Sequence, residues 1–118
     1  PLFNQAFLNR GFAYDRLEMP SRAIMDYDRA IEINPEYGLA YSNRGLSYFT
    51  LGQNERAKDD LSEAIQLEPE LGVNYAIRAE IFTLLGEDEK ARQDVERAAL
   101  LGFEGKISSS VSGKVGTQ

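Results

Sequence analysis

Three arginines and three aspartates recur along the chain at intervals of 34 residues. The two series are Arg10, Arg44 and Arg78, and Asp26, Asp60 and Asp94. A column of guanidinium groups could bind an anion such as a phosphate or a carboxylate. The arginines, however, share a helix face with aromatic residues, and the aspartates lie beside alanines, so both series are expected at packed faces. Because a partly buried charge needs a partner, we interpret them as a structural Arg–Asp ladder.

Two clusters of acidic residues could bind a hard cation or supply general acid and base groups. The clusters are Asp59, Asp60 and Glu63, and Glu87, Asp88 and Glu89. Both fall near the predicted starts of helices, where the helix dipole favours negative charge. We therefore interpret them as solvated helix starts and predict no metal site.

The residues that most often carry out catalysis are missing from the chain. It has no histidine and no cysteine, which excludes thiol chemistry, disulfides, zinc sites of the Cys/His type and the commonest general base. No glycine-rich phosphate loop is present, since the glycines fall at the ends of predicted helices. The sequence therefore predicts a protein that is not an enzyme and uses no cofactor. The absence of cysteine leaves the compartment open.

Charge and length narrow the remaining classes. The 118 residues suit one domain, and 42% of them are hydrophobic. The net charge is −6, with 13 basic residues scattered among 19 acidic ones. Such a surface repels phosphate backbones, so we expect no nucleic-acid partner. No apolar run approaches the length that spans a bilayer, so we expect no membrane insertion.

An internal repeat of 34 residues organises the whole chain. A shift by that length places Asn9-Arg10-Gly11 on Asn43-Arg44-Gly45, and Pro35-Glu36 on Pro69-Glu70. A third, more divergent copy includes Tyr75. Within each unit, apolar residues follow helical spacing in two segments. The predicted helices are 4–17, 21–33, 38–51, 55–67, 72–85 and 89–101.

The predicted helix ends rest on residues with known backbone preferences. Gly52 and Gly86 should end the first helix of the second and third units, because glycine accepts the left-handed conformation. Asn54 and Asp88 should then cap the helices that follow. In the first unit, which lacks this glycine, Pro20-Ser21 should provide the break.

These residues resemble the tetratricopeptide repeat, whose period is 34 residues. The matching positions are Phe7, Gly11, Tyr14, Ala23, Tyr27, Ala30 and Pro35 in the first unit; Tyr41, Gly45, Tyr48, Ala57, Leu61, Ala64 and Pro69 in the second; and Tyr75, Ala79, Phe82, Ala91, Val95 and Ala98 in the third, where Phe103 replaces the expected proline. The resemblance implies an all-α fold, a right-handed superhelical solenoid of three helix-turn-helix hairpins. Its repeats would be 4–37, 38–71 and 72–103.

The resemblance also implies a concave groove, lined by the first helix of each unit, that binds a peptide or another protein. The groove candidates are Leu8, Asn9, Phe12, Asp15, Leu39, Asn43, Leu46, Phe49, Val73, Ile77, Glu80 and Leu84. This set is more apolar than a solvated groove requires, as binding surfaces often are. The alternative is that a helix or tail of the same chain fills the groove.

Chaperone-binding members of this family grip a C-terminal carboxylate with two lysines, two asparagines and an arginine. The corresponding positions here are Leu8, Phe12, Asn43, Val73 and Ile77. Only Asn43 fits that pattern. We therefore expect that the carboxylate clamp is absent and that this is not a receptor for Hsp70 or Hsp90 tails.

The last segment, 104–118, is rich in serine and glycine, which favours flexibility. Its apolar residues Ile107, Val111 and Val115 nevertheless continue from Phe103 at intervals of four. That spacing is typical of a weak amphipathic helix, which could cap the third hairpin.

The sequence as a whole predicts a protein–protein interaction module that holds a partner peptide or helix in a mainly apolar groove. Two alternatives stay open. The chain could be a structural solenoid that forms homo-oligomers through its uncapped ends or its tail. It could also be the regulatory domain of a larger protein.

Overall fold

The structure, a computed structural model, describes residues 2–103 and contains only helices and turns there. The helices are α1 (Leu2–Arg16), α2 (Pro20–Ile33), α3 (Gly38–Thr50), α4 (Asn54–Leu67), α5 (Gly72–Leu84) and α6 (Asp88–Leu100). The all-α prediction is confirmed, and each predicted helix end agrees within two residues. The predicted tail helix with Ile107, Val111 and Val115 lies outside the described residues. None of the six helices is long and apolar enough to cross a bilayer.

Glycine ends α3 as predicted. The backbone N–H of Gly52 donates to the carbonyl of Phe49 at 2.9 Å, and that of Gln53 donates to the carbonyl of Tyr48 at 2.9 Å. This pair of bonds requires a left-handed residue at position 52, and Gly52 has a φ of 77°. The arrangement satisfies two carbonyls that the helix leaves without partners.

The predicted caps are wrong by one residue. The carbonyl of Gln53 accepts the first bond of α4, from Ala57 at 3.0 Å, and the carbonyl of Glu87 accepts the equivalent bond of α6, from Ala91 at 3.0 Å. The residue that accepts this bond is by definition the N-cap, so Asn54 is the first residue inside its helix and makes no cap. Neither Gln53 nor Glu87 caps its helix with a side chain. The short glycine turn leads directly into each helix and sets where it begins.

The break in the first unit also differs from the prediction. Glu18, not Pro20-Ser21, reverses the chain, with a φ of 60°. Its backbone N–H donates to Asp15 at 2.9 Å, and that of Met19 donates to Tyr14 at 2.9 Å, which reproduces the turn at Gly52. Pro20 comes two residues later as the first residue of α2, a position where its missing N–H costs no hydrogen bond.

Each pair of consecutive helices forms a hairpin, and the hairpins stack in chain order. Helix α2 packs against α3 and α4 packs against α5, so neighbouring hairpins are joined through these contacts. The odd-numbered helices also touch one another, α1 with α3 and α3 with α5, whereas α2, α4 and α6 do not touch one another. The odd-numbered helices therefore line the inner, concave side of a curved stack.

Small residues allow the two helices of a hairpin to approach closely. A β-carbon added at Gly45 would overlap the side chain of Leu61, and one at Gly11 would lie 2.7 Å from the ring of Tyr27. Across these contacts, Leu61 and Tyr27 are fully buried. Glycine at residue 45 thus permits the packing that holds α3 against α4.

Candidate interaction groove

A groove opens on the concave side between α1 and α3. It encloses about 520 Å³, and most of the surface that lines it is apolar. Four of the predicted groove residues line it, namely Phe12, Asp15, Asn43 and Leu46. The sequence analysis did not predict its other lining residues, which are Glu18, Pro20, Ser47, Thr50 and Leu51. Most of these belong to the two turns that close one end of the groove.

The two large apolar side chains in the groove are accessible. Phe12 is 50% exposed and Leu46 is 39% exposed. They occupy equivalent positions in successive units, because residue 46 follows residue 12 by one repeat. Two accessible apolar side chains on a concave surface form the kind of patch that marks a binding site.

The remaining candidates lie outside this groove. Leu39, Val73 and Leu84 are exposed apolar residues of α3 and α5, and Asn9 is exposed on α1. Glu80 is half-buried. Phe49 and Ile77 are half-buried because they pack against the core formed by Ala57, Leu61 and Ile81.

Leu8 is a correction to the predicted set. It is only 6% exposed and belongs to the core with Ala23, Tyr27, Ala30 and Ala40. Ala40 comes from α3, so the second hairpin covers the position that was expected to face the groove. Leu8 therefore stabilises the junction of the first two hairpins and offers no surface to a ligand.

A hydrogen-bonded cluster that the sequence analysis missed forms one wall of the groove. The hydroxyl of Tyr27 in α2 donates to Oδ2 of Asp15 at 2.6 Å. The hydroxyl of Ser47 in α3 lies 2.8 Å from Oδ1 of the same carboxylate. Asp15, in α1, thus joins three helices, and its carboxylate is held in one orientation. The signal in the sequence was the polar residue at each of the three positions.

The cluster changes the chemistry of Tyr27. Burial disfavours the phenolate, and the hydrogen bond to Asp15 favours the protonated hydroxyl, so both effects raise the pKa of Tyr27 well above its ordinary value. The phenol therefore remains a hydrogen-bond donor across the physiological pH range.

The Arg–Asp pairs form within each hairpin, as the spacing predicted. In the second unit, Nε and Nη2 of Arg44 each donate to Asp60 at 2.8 Å. The same two-bond geometry joins Arg10 to Asp26, and Arg78 to Asp94. The aspartate side chains are only 5–9% exposed, so each arginine neutralises a buried charge. Hydrogen bonding to Asp60 raises the pKa of Arg44.

The ladder also connects neighbouring hairpins. Nη1 of Arg44 donates to Asp28 of the preceding hairpin at 2.8 Å, and Nη1 of Arg78 donates to Ser62 at 3.1 Å. The side chains of Arg44 and Arg78 are each 20% exposed, whereas that of Arg10 is 62% exposed. Within the described residues no hairpin covers Arg10, which leaves the outer side of the first hairpin open.

The acidic clusters carry no metal-binding arrangement in the described part of the chain. A search of residues that could act as ligands finds no group of three or more brought together there. In each cluster, acidic side chains form ion pairs with lysines nearby in sequence. Lys58 binds Glu55 at 2.9 Å, and Lys90 binds Glu87 at 2.9 Å.

Solved structures of several proteins share this fold. The second tetratricopeptide domain of Spaghetti (RPAP3), bound to the HSP90 peptide SRMEEVD, is 29% identical, with a TM-score of 0.82 over 84% of this chain and 92% of that chain. The first such domain of the same protein, bound to the same peptide, is 21% identical, with a TM-score of 0.89 over 98% and 90% of the two chains. The Arabidopsis OM64 domain is 19% identical, with a TM-score of 0.89 over 98% and 95%.

Comparison of sequences gives a narrower result. No curated protein sequence matches the chain significantly. The family model of the tetratricopeptide repeat matches residues 5–37 and 38–71. It does not extend to 72–103, where α5 and α6 form the third hairpin, so the assignment of that segment as a third repeat stays a prediction. The two matched repeats make up more than half of the chain, which therefore belongs to the tetratricopeptide repeat family.

Proposed function

We propose that the protein is an interaction module that binds a peptide segment of a partner in the groove between α1 and α3. The observation that supports this most directly is the exposure of Phe12 and Leu46 inside a mainly apolar concavity. A peptide that covered them would remove apolar surface from water, which provides affinity at about 25 cal/mol for each Å². The two domains of RPAP3, which have the same fold, hold a peptide.

The recognised feature of the peptide differs, in this proposal, from a C-terminal carboxylate. Four of the five positions that correspond to the carboxylate clamp are apolar here: Leu8, Phe12, Val73 and Ile77. A carboxylate placed among such side chains would lose its hydration without gaining ion pairs. We therefore expect peptides with a free C terminus to bind no better than the same peptides amidated.

A role without catalysis is part of the same proposal. The chain has neither histidine nor cysteine, and the buried aspartates Asp26, Asp60 and Asp94 are engaged by arginines. A carboxylate held in two hydrogen bonds to a guanidinium is a poor general base, because the ion pair favours its deprotonated form.

One variant of the groove tests the proposal. Leu46→Glu places a charge among the apolar lining residues and touches no fully buried residue, so the fold should persist. Met25→Glu is the matched control, since Met25 is exposed to 67% on α2, away from the groove. Short random peptides displayed on phage are selected against each protein. We expect binders for the original protein and for the Met25 variant but not for the Leu46 variant. Equal selection by all three would contradict a groove site.

A second candidate function is assembly of several copies through the end of the stack. Arg10 and Met25 line an open cavity on the first hairpin, and no helix of the described chain covers it. Glu96 of α6 lies one repeat after Ser62, the residue that binds Arg78 from the preceding hairpin. If α6 of one copy stacked on the first hairpin of another, Glu96 would take the same place beside Arg10.

Light scattering over a range of concentrations tests this second candidate. Assembly predicts a mass that rises with concentration in the original protein and stays that of a monomer in the Met25→Glu variant. A monomer at every concentration would contradict it.

A further inference from the structure

The hydrogen-bonded cluster at the first junction has an apolar counterpart at the second. Residues 49, 61 and 81 follow Asp15, Tyr27 and Ser47 by one repeat each, and they are Phe49, Leu61 and Ile81. In the structure these three pack together, and both Leu61 and Ile81 are fully buried. The same place in the same fold is thus filled once by polar residues and once by apolar ones.

This internal comparison shows that the fold does not require the polar cluster. A buried polar or ionic group is costly to desolvate, and well-packed apolar residues of similar size often stabilise a protein equally well. The second junction demonstrates such packing within this chain. The presence of Asp15 therefore needs a reason other than stability, and Asp15 is the member of the cluster that lines the groove.

The groove carries negative charge that no cation in the described residues compensates. Its charged lining residues are Asp15 and Glu18, both acidic. Asp15 forms hydrogen bonds with two hydroxyls and no salt bridge within residues 3–103. Arg16 is adjacent in sequence but is exposed and forms no ion pair there. An uncompensated carboxylate thus lies beside the apolar side chains Phe12 and Leu46.

We propose that the groove selects peptide segments in which a lysine or arginine is flanked by apolar residues, with the cation placed against Asp15. This rests on the proposed function of the groove and specifies its ligand. An ionised carboxylate can accept about four hydrogen bonds, so Tyr27 and Ser47 leave capacity for an ammonium or guanidinium group. Because these two hydroxyls already hold the carboxylate, binding does not have to order it. The polarity is the reverse of that in a groove that binds carboxylates.

The test exchanges the cluster for its counterpart. A triple variant with Asp15→Phe, Tyr27→Leu and Ser47→Ile carries at the first junction the residues of the second. Random peptides on phage are selected against the original protein and against this variant, and circular dichroism verifies its helix content. We expect lysine and arginine beside apolar residues to be enriched by the original protein and not by the variant. If the triple variant fails to fold, the single variant Asp15→Asn replaces it, since an amide oxygen can still accept the two hydroxyl bonds.

The best peptide then allows a quantitative test. Replacing its cation by methionine should weaken binding by about tenfold, and Asp15→Asn should weaken binding of the original peptide by a similar factor. The two changes together should cause little further loss, because both remove the same interaction. Independent, multiplicative losses would overturn the assignment to Asp15.

The outcomes separate this inference from the function on which it rests. Peptides that bind the groove but show no enrichment of cations, or the same enrichment with the triple variant, would overturn the inference and leave the binding function standing. If no peptide binds the original protein better than it binds the Leu46→Glu variant, both fail.

Discussion

Gly45 of α3 lies so close to Leu61 of α4 that a β-carbon at residue 45 would overlap the leucine side chain. The equivalent pair in the third unit is Ala79 and Val95, which pack together in the core. A larger residue on the first helix is thus matched by a smaller one on the second. The separation of the two helices depends on the sum of the two side chains, not on glycine alone.

This relationship predicts a coupling between two substitutions. Gly45→Ala should destabilise the protein by roughly 1 kcal/mol, because overpacking in this fully buried contact outweighs the gain in helix propensity. In a Leu61→Val background the same change should cost less, by a coupling on the order of 1 kcal/mol. Urea unfolding of the four proteins in the cycle measures this. Additive effects would show that the two residues do not share one packing limit.

The Arg–Asp ladder is predicted to stabilise the fold. Arg44→Ala leaves Asp60 buried without its cation and should lower the free energy of unfolding by about 1–3 kcal/mol. Arg10→Ala is the matched control, because Arg10 makes the same two bonds but is largely exposed, and its loss should cost less. Thermal melts compare the two. An unchanged melting temperature for Arg44→Ala, together with loss of peptide binding, would assign the ladder to function instead.

The turn at Glu18 predicts a stabilising substitution. A side chain at a φ of 60° costs about 1–2 kcal/mol, and glycine loses about 0.5–1 kcal/mol more backbone entropy on folding. Glu18→Gly should therefore raise the free energy of unfolding by up to about 1 kcal/mol. The reciprocal variant, Gly52→Glu, has the opposite expectation, since Gly52 holds a φ of 77°. A loss of stability in Glu18→Gly would show that the glutamate side chain contributes more than its strain costs.

Tyr27 predicts how stability falls at high pH. Its pKa is raised in the folded protein, so the folded state keeps the proton while the unfolded chain loses it above about pH 10. This contribution to stability is complete below the unfolded pKa and declines as the pH rises from there toward the folded pKa. Tyr27→Phe should show a shallower decline in urea unfolding between pH 9 and 11 (approximate limits). Equal slopes would mean that other groups control alkaline unfolding.

The period of the sequence carried most of the fold. Residues such as Gly52 and Pro69 recur in register, and each has a local backbone reason to end a helix, so six helix positions followed from one chain. Glu18 escaped this reasoning, because a turn with a left-handed glutamate has no local signal. Only its alignment with Gly52 reveals it.

The groove was predictable in outline and not in detail. Helical spacing places Leu8 and Phe12 on one side of α1, yet only Phe12 reaches the groove, because Ala40 of α3 covers Leu8. How far one hairpin overlaps the next depends on packing that spacing does not contain. The bond from Tyr27 to Asp15 was missed for the same reason, since it joins residues whose helix faces meet only after the hairpin closes.

The most direct test of the interaction function is a titration that maps where a peptide binds. A peptide selected from the random library is added to the isotope-labelled protein, and backbone amide NMR shifts are followed residue by residue. The account predicts saturable shifts that cluster on α1 and α3 around Phe12 and Leu46, with α4 and α6 little affected. Shifts confined to the outer helices, or to the end of the stack around Met25, would contradict it.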